Sequence, residues 1–269
     1  MPQSAIQGAV VEIIPDHEAI GSVLNFEEIE TEKGVTSQIQ ESIKKLEGTT
    51  LRRDSIGQAF GHNLVELLVY ENKKLKEEPE KLREKTSIIL QVGREYAKMQ
   101  RENVNSFLNG FMAEACLALS LDELGYTVLA PTIEEDIKGK IDMFVIDKNY
   151  TQEPYALAIQ VKNSSEVEDI IVHNLNDDIK NLNMQLETQS IRYLPEFKSK
   201  LAYSNKYMLE YLSKNKERFN GRVIPLVVII PGGDMSETSS YNTVTSAPVK
   251  GFSYKLFDKL NEIYEGEKL

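Results

Sequence analysis

The chain has 269 residues, 41% of them hydrophobic, and a formal net charge of −11. This is the composition of a globular protein, and the acidity excludes a chain that coats nucleic acid by charge alone, because phosphate contacts dominate such binding. One cysteine, Cys116, and three scattered histidines, His17, His62 and His173, exclude an internal disulfide, a zinc site of known spacing and a histidine-dependent HNH-type nuclease centre. No apolar run of about 18 residues suggests a membrane span. The N-terminus has no basic segment followed by an apolar one, so the expected location is cytoplasmic.

Residues 1–102 read as a mainly helical region without recognisable chemistry. Residues 9–14 suit a short strand, and the acidic stretch 26–36 suits a loop or arm. A short amphipathic helix over 37–46 is expected to end at Gly48. Asp54 then caps a longer helix carrying Ile56, Phe60, Leu64, Leu67 and Leu68 at helical spacing. The charged segment 71–84, with Pro79, breaks the pattern, and residues 86–98 resume it.

The character changes at Asn103. Residues 105–124 predict a strong helix closed by Gly125, followed by a short strand over 126–130. The acidic stretch 134–139 reads as a turn, and 140–147 and 155–162 as two alternating strands. A long polar helical region, 166–217, is interrupted near Pro195, and the run Val223–Ile230 reads as a buried strand. The order over 103–232 is therefore α-β-β-β-α-β, an α/β core with an antiparallel meander and a crossover to a further strand. Residues 233–269 form a C-terminal extension with an amphipathic helix.

Four polar residues stand out against this background. Asp142 begins an apolar strand, where a carboxylate is costly unless paired; a strand-end position in water is the plain alternative. Gln160 and Lys162 share one face of the next strand, opposite Ile159 and Val161, as a polar site or a strand leaving the core would place them. Glu114 has Phe111, Leu117, Ala118 and Leu121 as helical neighbours, so it lies in the apolar stripe or at its edge. Glu135 and Asp136 read as a solvated loop more readily than as additional ligands. Residues 190–222 carry eight Lys/Arg against three Glu, with tyrosines interleaved. Lys198, Lys200, Lys206, Lys214, Lys216 and Arg218 suit phosphate contacts, yet Tyr203, Tyr207 and Tyr211 equally suit a packing stripe with wet lysines beside it.

A helix with Glu, then a strand with Asp, then a strand with Gln-x-Lys resembles the PD-(D/E)XK nuclease superfamily over residues 103–232. The Gln form at position 160 resembles the variant in Mrr-like restriction endonucleases, and no proline precedes Asp142. The resemblance implies a restriction-endonuclease-like αβββαβ core and a metal-dependent DNA endonuclease with catalytic Glu114, Asp142, Gln160 and Lys162. It implies Mg²⁺, with Mn²⁺ as substitute, held by Asp142, Gln160, the Val161 carbonyl and Glu114. DNA is the implied partner, and duplex cleavage from one site per chain implies a homodimer. The alternative is the same scaffold binding nucleic acid or a protein without cutting.

Overall fold

In the computed structural model, residues 11–12, 53–131, 133–147, 155–164, 167–177, 179–188, 194–218, 222–232, 241–242, 245 and 247–266 are described. The helix expected over 37–46, the arm over 26–36 and the turn over 148–154 lie outside these residues, as do His17 and the side chains of His62 and Arg218.

Asn103 starts the central helix, α3 (Val104–Glu123): its Oδ1 accepts the Ser106 amide at 3.0 Å, an N-cap that satisfies one of the free first-turn donors. The helix is apolar almost all round, and eleven of its residues are buried. Among the described residues this helix has the length and hydropathy to cross a bilayer, but its apolar surface is taken up by the protein's own core. Gly125, at φ +87°, turns the chain into β2 (Tyr126–Ala130).

Two earlier helices, α1 (Arg53–Lys74) and α2 (Pro79–Gln100), share α3's apolar cluster through Leu64, Leu68, Ile89, Val92 and Tyr96. Burying each such side chain contributes about 1.5–3 kcal/mol. The break is shorter than the sequence reading of 71–84: only residues 75–78 lie between the two helices, and Pro79 stands in the first turn of α2, where proline is tolerated.

After β2 the chain forms α4 (Ile133–Gly139), β3 (Met143–Asp147), β4 (Tyr155–Ser164), β5 (Ile171–Asn174), α5 (Ile179–Thr188), α6 (Leu194–Lys214), a short 3₁₀ turn (Lys216–Arg218), β6 (Arg222–Pro231) and α7 (Phe252–Gly266). With β1 (Val11–Glu12) the strands make one mixed sheet in the order β1-β2-β3-β4-β6-β5. The run β2-β3-β4 is an antiparallel meander, and β6 joins β4 in parallel with Gln160 opposite Val227. Two elements depart from the sequence reading: the acidic "turn" is helix α4, and the polar helical region contains strand β5 at the sheet edge.

Both faces of the sheet are covered. Met143, Val145, Leu157, Ile159, Val161 and Val228 pack under α1, α2, α3 and α7. Phe144, Ile146, Ala156, Ala158, Val227 and Ile229 pack under α5 and α6. Period-2 alternation in β4 therefore turns Gln160 and Lys162 toward the α6 side, while Val161 faces α3.

Candidate active site

Strand β3 begins only at Met143, so Asp142 stands at its mouth. Its backbone is still tied to β4: the Asp142 amide donates to the Ile159 carbonyl at 2.8 Å. Its side chain is fixed by a second bond, in which the Val161 amide donates to Asp142 Oδ2 at 2.6 Å. The carboxylate therefore lies against the stretch of β4 between Gln160 and Lys162. In an extended strand a residue's N–H and C=O point the same way, so the Val161 carbonyl also faces this edge.

The strand-end reading of Asp142 is right about position, and the side chain there is only partly in water. Asp142 is half-buried, and its carboxyl is pushed above the ordinary range by desolvation. The Lys162 ammonium, the Val161 amide and Lys140 oppose that shift. Glu114 reaches the same place from α3. Burial first, then the charges of Asp142 and Asp136, push its carboxyl well above the ordinary value, with Lys162 opposing.

Asp136 is a residue the sequence reading set aside. It lies on α4, half-buried, and burial plus the Asp142 charge push its carboxyl up to about 7, opposed by Lys140 and Lys162. Its neighbour Glu135 is wholly buried. The expected solvated loop is thus a helix packed inward, and it brings a third carboxyl to the site.

Gln160 is 2% exposed, and its Oε1 accepts no hydrogen bond. A buried, unmet acceptor costs about 1–3 kcal/mol. Asn205 on α6 is also buried, with both side-chain amide atoms unmet. It lies on the helix face of Leu201 and Met208, which meets the sheet side that carries Gln160. The sequence gives no hint of Asn205, since a polar residue in a polar-looking helix reads as surface.

The basic stretch divides in two. Lys198 pairs with Glu187 at 2.6 Å, Lys200 with Glu196 at 2.7 Å, and Lys206 and Lys214 both approach Glu210, at 3.8 and 3.7 Å. Lys216 is exposed in the 3₁₀ turn, and Arg218 ends that turn. Of the tyrosines, Tyr211 is buried, whereas Tyr203 and Tyr207 are 58% and 39% exposed.

A divalent metal fits this donor set in kind: Mg²⁺ takes hard oxygen ligands, the unmet Gln160 Oε1 is a neutral one, and the Asp142 carboxylate is pinned by the next residue of that strand. Among the described residues no three of His, Cys, Asp and Glu form a cation cage by themselves. An ion here would therefore depend on the Gln160 amide and the Val161 carbonyl as well as on acids. No family model matches the sequence, and no curated protein or solved structure matches it significantly.

Proposed function

We propose that the chain is a Mg²⁺-dependent DNA endonuclease with a restriction-endonuclease-like, PD-(D/E)XK core. The supporting observations are that Glu114, Asp136 and Asp142 feel one another's charge and that of Lys162, that Asp142 is pinned to Val161 at the mouth of β3, and that a buried Gln160 oxygen on the same strand has no partner. Three partly desolvated carboxyls that feel one another's charge repel, and Lys162 and Lys140 offset only part of that. A site built this way is suited to a substrate or ion that brings positive charge.

A bound Mg²⁺ would supply charge neutralisation at phosphorus and a more acidic water. Asp142, Glu114, Gln160 and the Val161 carbonyl are the groups that would hold it. The Val161 amide keeps the Asp142 carboxylate in one rotamer, so the ligand is preorganised. Lys162, with three donors and a charge near Asp142, orients the attacking water and stabilises charge that develops on the phosphoryl oxygens. Asp136 tightens the negative field from the α4 side. Duplex cleavage by one such site per chain calls for two copies acting together.

The second reading is a scaffold that binds without cutting. It is favoured by the pairing of Lys198, Lys200, Lys206 and Lys214 with acidic partners, which weakens them as phosphate contacts. Lys162→Ala separates the two readings. A transition-state role predicts a fall of about 10²–10³ in plasmid-nicking rate with Mg²⁺ and little change in DNA affinity measured with Ca²⁺. A binding role predicts a modest affinity loss, a salt slope shallower by about one unit, and no nicking by wild type with any divalent metal.

A further inference from the structure

Helices α4 and α6 enclose a groove of about 550 Å³ lined by Lys138, Lys140, Tyr203, Tyr207, Glu210 and Lys214, among others. Three lysines against one glutamate make this wall basic in a chain of net charge −11. The volume falls in the range of about 300–1,000 Å³ typical of small-ligand clefts.

Two features separate the groove from an ordinary wet helix face. First, Tyr203 and Tyr207 stand outward as a pair, with ring centroids 4.5 Å apart and planes at 44°. Large aromatic rings exposed to 58% and 39% leave flat apolar surface in water, beside cations, as a stacking platform does. Second, Lys140 ties the groove to the candidate active site along the chain, two residues before Asp142. Lys140 lines the groove, and its charge is felt by Tyr203 on one side and by Asp136 and Asp142 on the other.

Lys140 is also held in the left-handed region, at φ +54°, where its amide donates to the Asp136 carbonyl at 2.9 Å and closes α4. Glycine is the usual residue at such a position, and a lysine there is strained by its Cβ. The preceding residue is Gly139, where a Cβ would lie 2.9 Å from the Tyr211 ring, so glycine is used there for close packing of α6 on α4. The chain thus keeps its flexible residue for packing and accepts strain to place a cation between groove and site.

We propose that this groove binds an unpaired nucleic-acid strand, with a base stacked on Tyr203 and Tyr207 and its phosphates held by Lys140 and Lys138. The strand would run from there toward Asp142 and Lys162, so the substrate class is a single-stranded, frayed or flipped segment, including one that supercoiling opens in a plasmid duplex. As a substrate assignment this rests on the nuclease reading; as a binding site it does not.

The test uses the full chain in EDTA, so that binding is read without cleavage. A labelled single-stranded oligonucleotide and the duplex of the same sequence are titrated, with DNA and RNA strands in parallel to identify the sugar. The single strand should bind more tightly than the duplex. Tyr203→Ala and Tyr207→Ala should each weaken it roughly 5- to 150-fold and change duplex binding less than about twofold, while Tyr203→Phe and Tyr207→Phe retain it. Lys140→Ala should reduce the single-strand salt slope by about 0.7. Absence of single-strand binding by wild type, equal losses on duplex, or indifference to both alanine changes would each overturn the assignment. Nicking assays on the same preparations keep the two claims apart. Tyrosine-dependent binding without nicking removes the nuclease and keeps the groove, whereas nicking with tyrosine-independent binding removes the groove and keeps the nuclease.

Discussion

Gln160→Met should make the protein more stable and less responsive to metal. Gln160 is 2% exposed, and its Oε1 has no donor. That oxygen costs the fold about 1–3 kcal/mol, since water satisfied it in the unfolded chain. Methionine has nearly the same length and shape and carries no unmet acceptor. A gain of about 1–2 kcal/mol, at roughly 2–4 °C per kcal/mol for a chain of this size, raises Tm in EDTA by about 2–8 °C. Wild type in saturating Mn²⁺ should gain further, by about 2.7 kcal/mol at a hundredfold excess over Kd. The variant should lose most of that second gain, along with nicking. Thermal unfolding followed by circular dichroism, with and without Mn²⁺, measures both. A variant that melts below wild type in EDTA and keeps the full Mn²⁺ shift would refute the idea that Gln160 is retained for a ligand.

Three further outcomes follow from other residues. Lys140→Gly relieves a left-handed lysine and should stabilise the fold by about 0.5–1 kcal/mol in denaturant melts while weakening oligonucleotide binding. Asn205→Leu removes two unmet buried amide atoms and should raise stability by about 1 kcal/mol or more, with reduced nicking rate as the accompanying cost. Glu66, on α1, has its carboxyl pushed by burial from 4.5 up to about 7. The folded state therefore holds the proton more tightly, and the stability this gives is full below about pH 4.5 and lost as pH rises through 7. The loss is at most about 3 kcal/mol, and Glu66→Gln should flatten that part of the stability–pH curve.

The sequence already displayed the elements with long, uniform patterns. Helix α3 shows its apolar run and its closing glycine in order, and β6 is a continuous apolar strand covered on both faces. Asp142, Gln160 and Lys162 were legible because alternation in short strands fixes side, and a polar residue on a covered side is conspicuous. What stayed hidden depends on tertiary contact. Helix α4 has seven residues, too few to stand alone, and its acidic sequence reads as a turn until α6 packs against it. Strand β5 has four residues, and His173 and Asn174 within it are polar, though buried against its neighbours.

The tyrosine stripe shows a different limit. Residues four apart on a helix drift by roughly 40° per step, because a turn takes about 3.6 residues. Over Tyr203, Tyr207 and Tyr211 that drift carries the ring from 58% to 39% to 6% exposed. The stripe is therefore packing at one end and platform at the other, and spacing alone cannot tell which end is which.

The central claim is that Asp142 and its neighbours form a metal-dependent phosphodiesterase site. It is tested most directly by incubating supercoiled plasmid with wild type and with Asp142→Ala, in EDTA, Mg²⁺ and Mn²⁺. Wild type should nick with either metal and not in EDTA. Asp142→Ala, confirmed folded by its melting curve, should be slower by at least about 10². Wild type inert with both metals, or Asp142→Ala as fast as wild type, would contradict the claim.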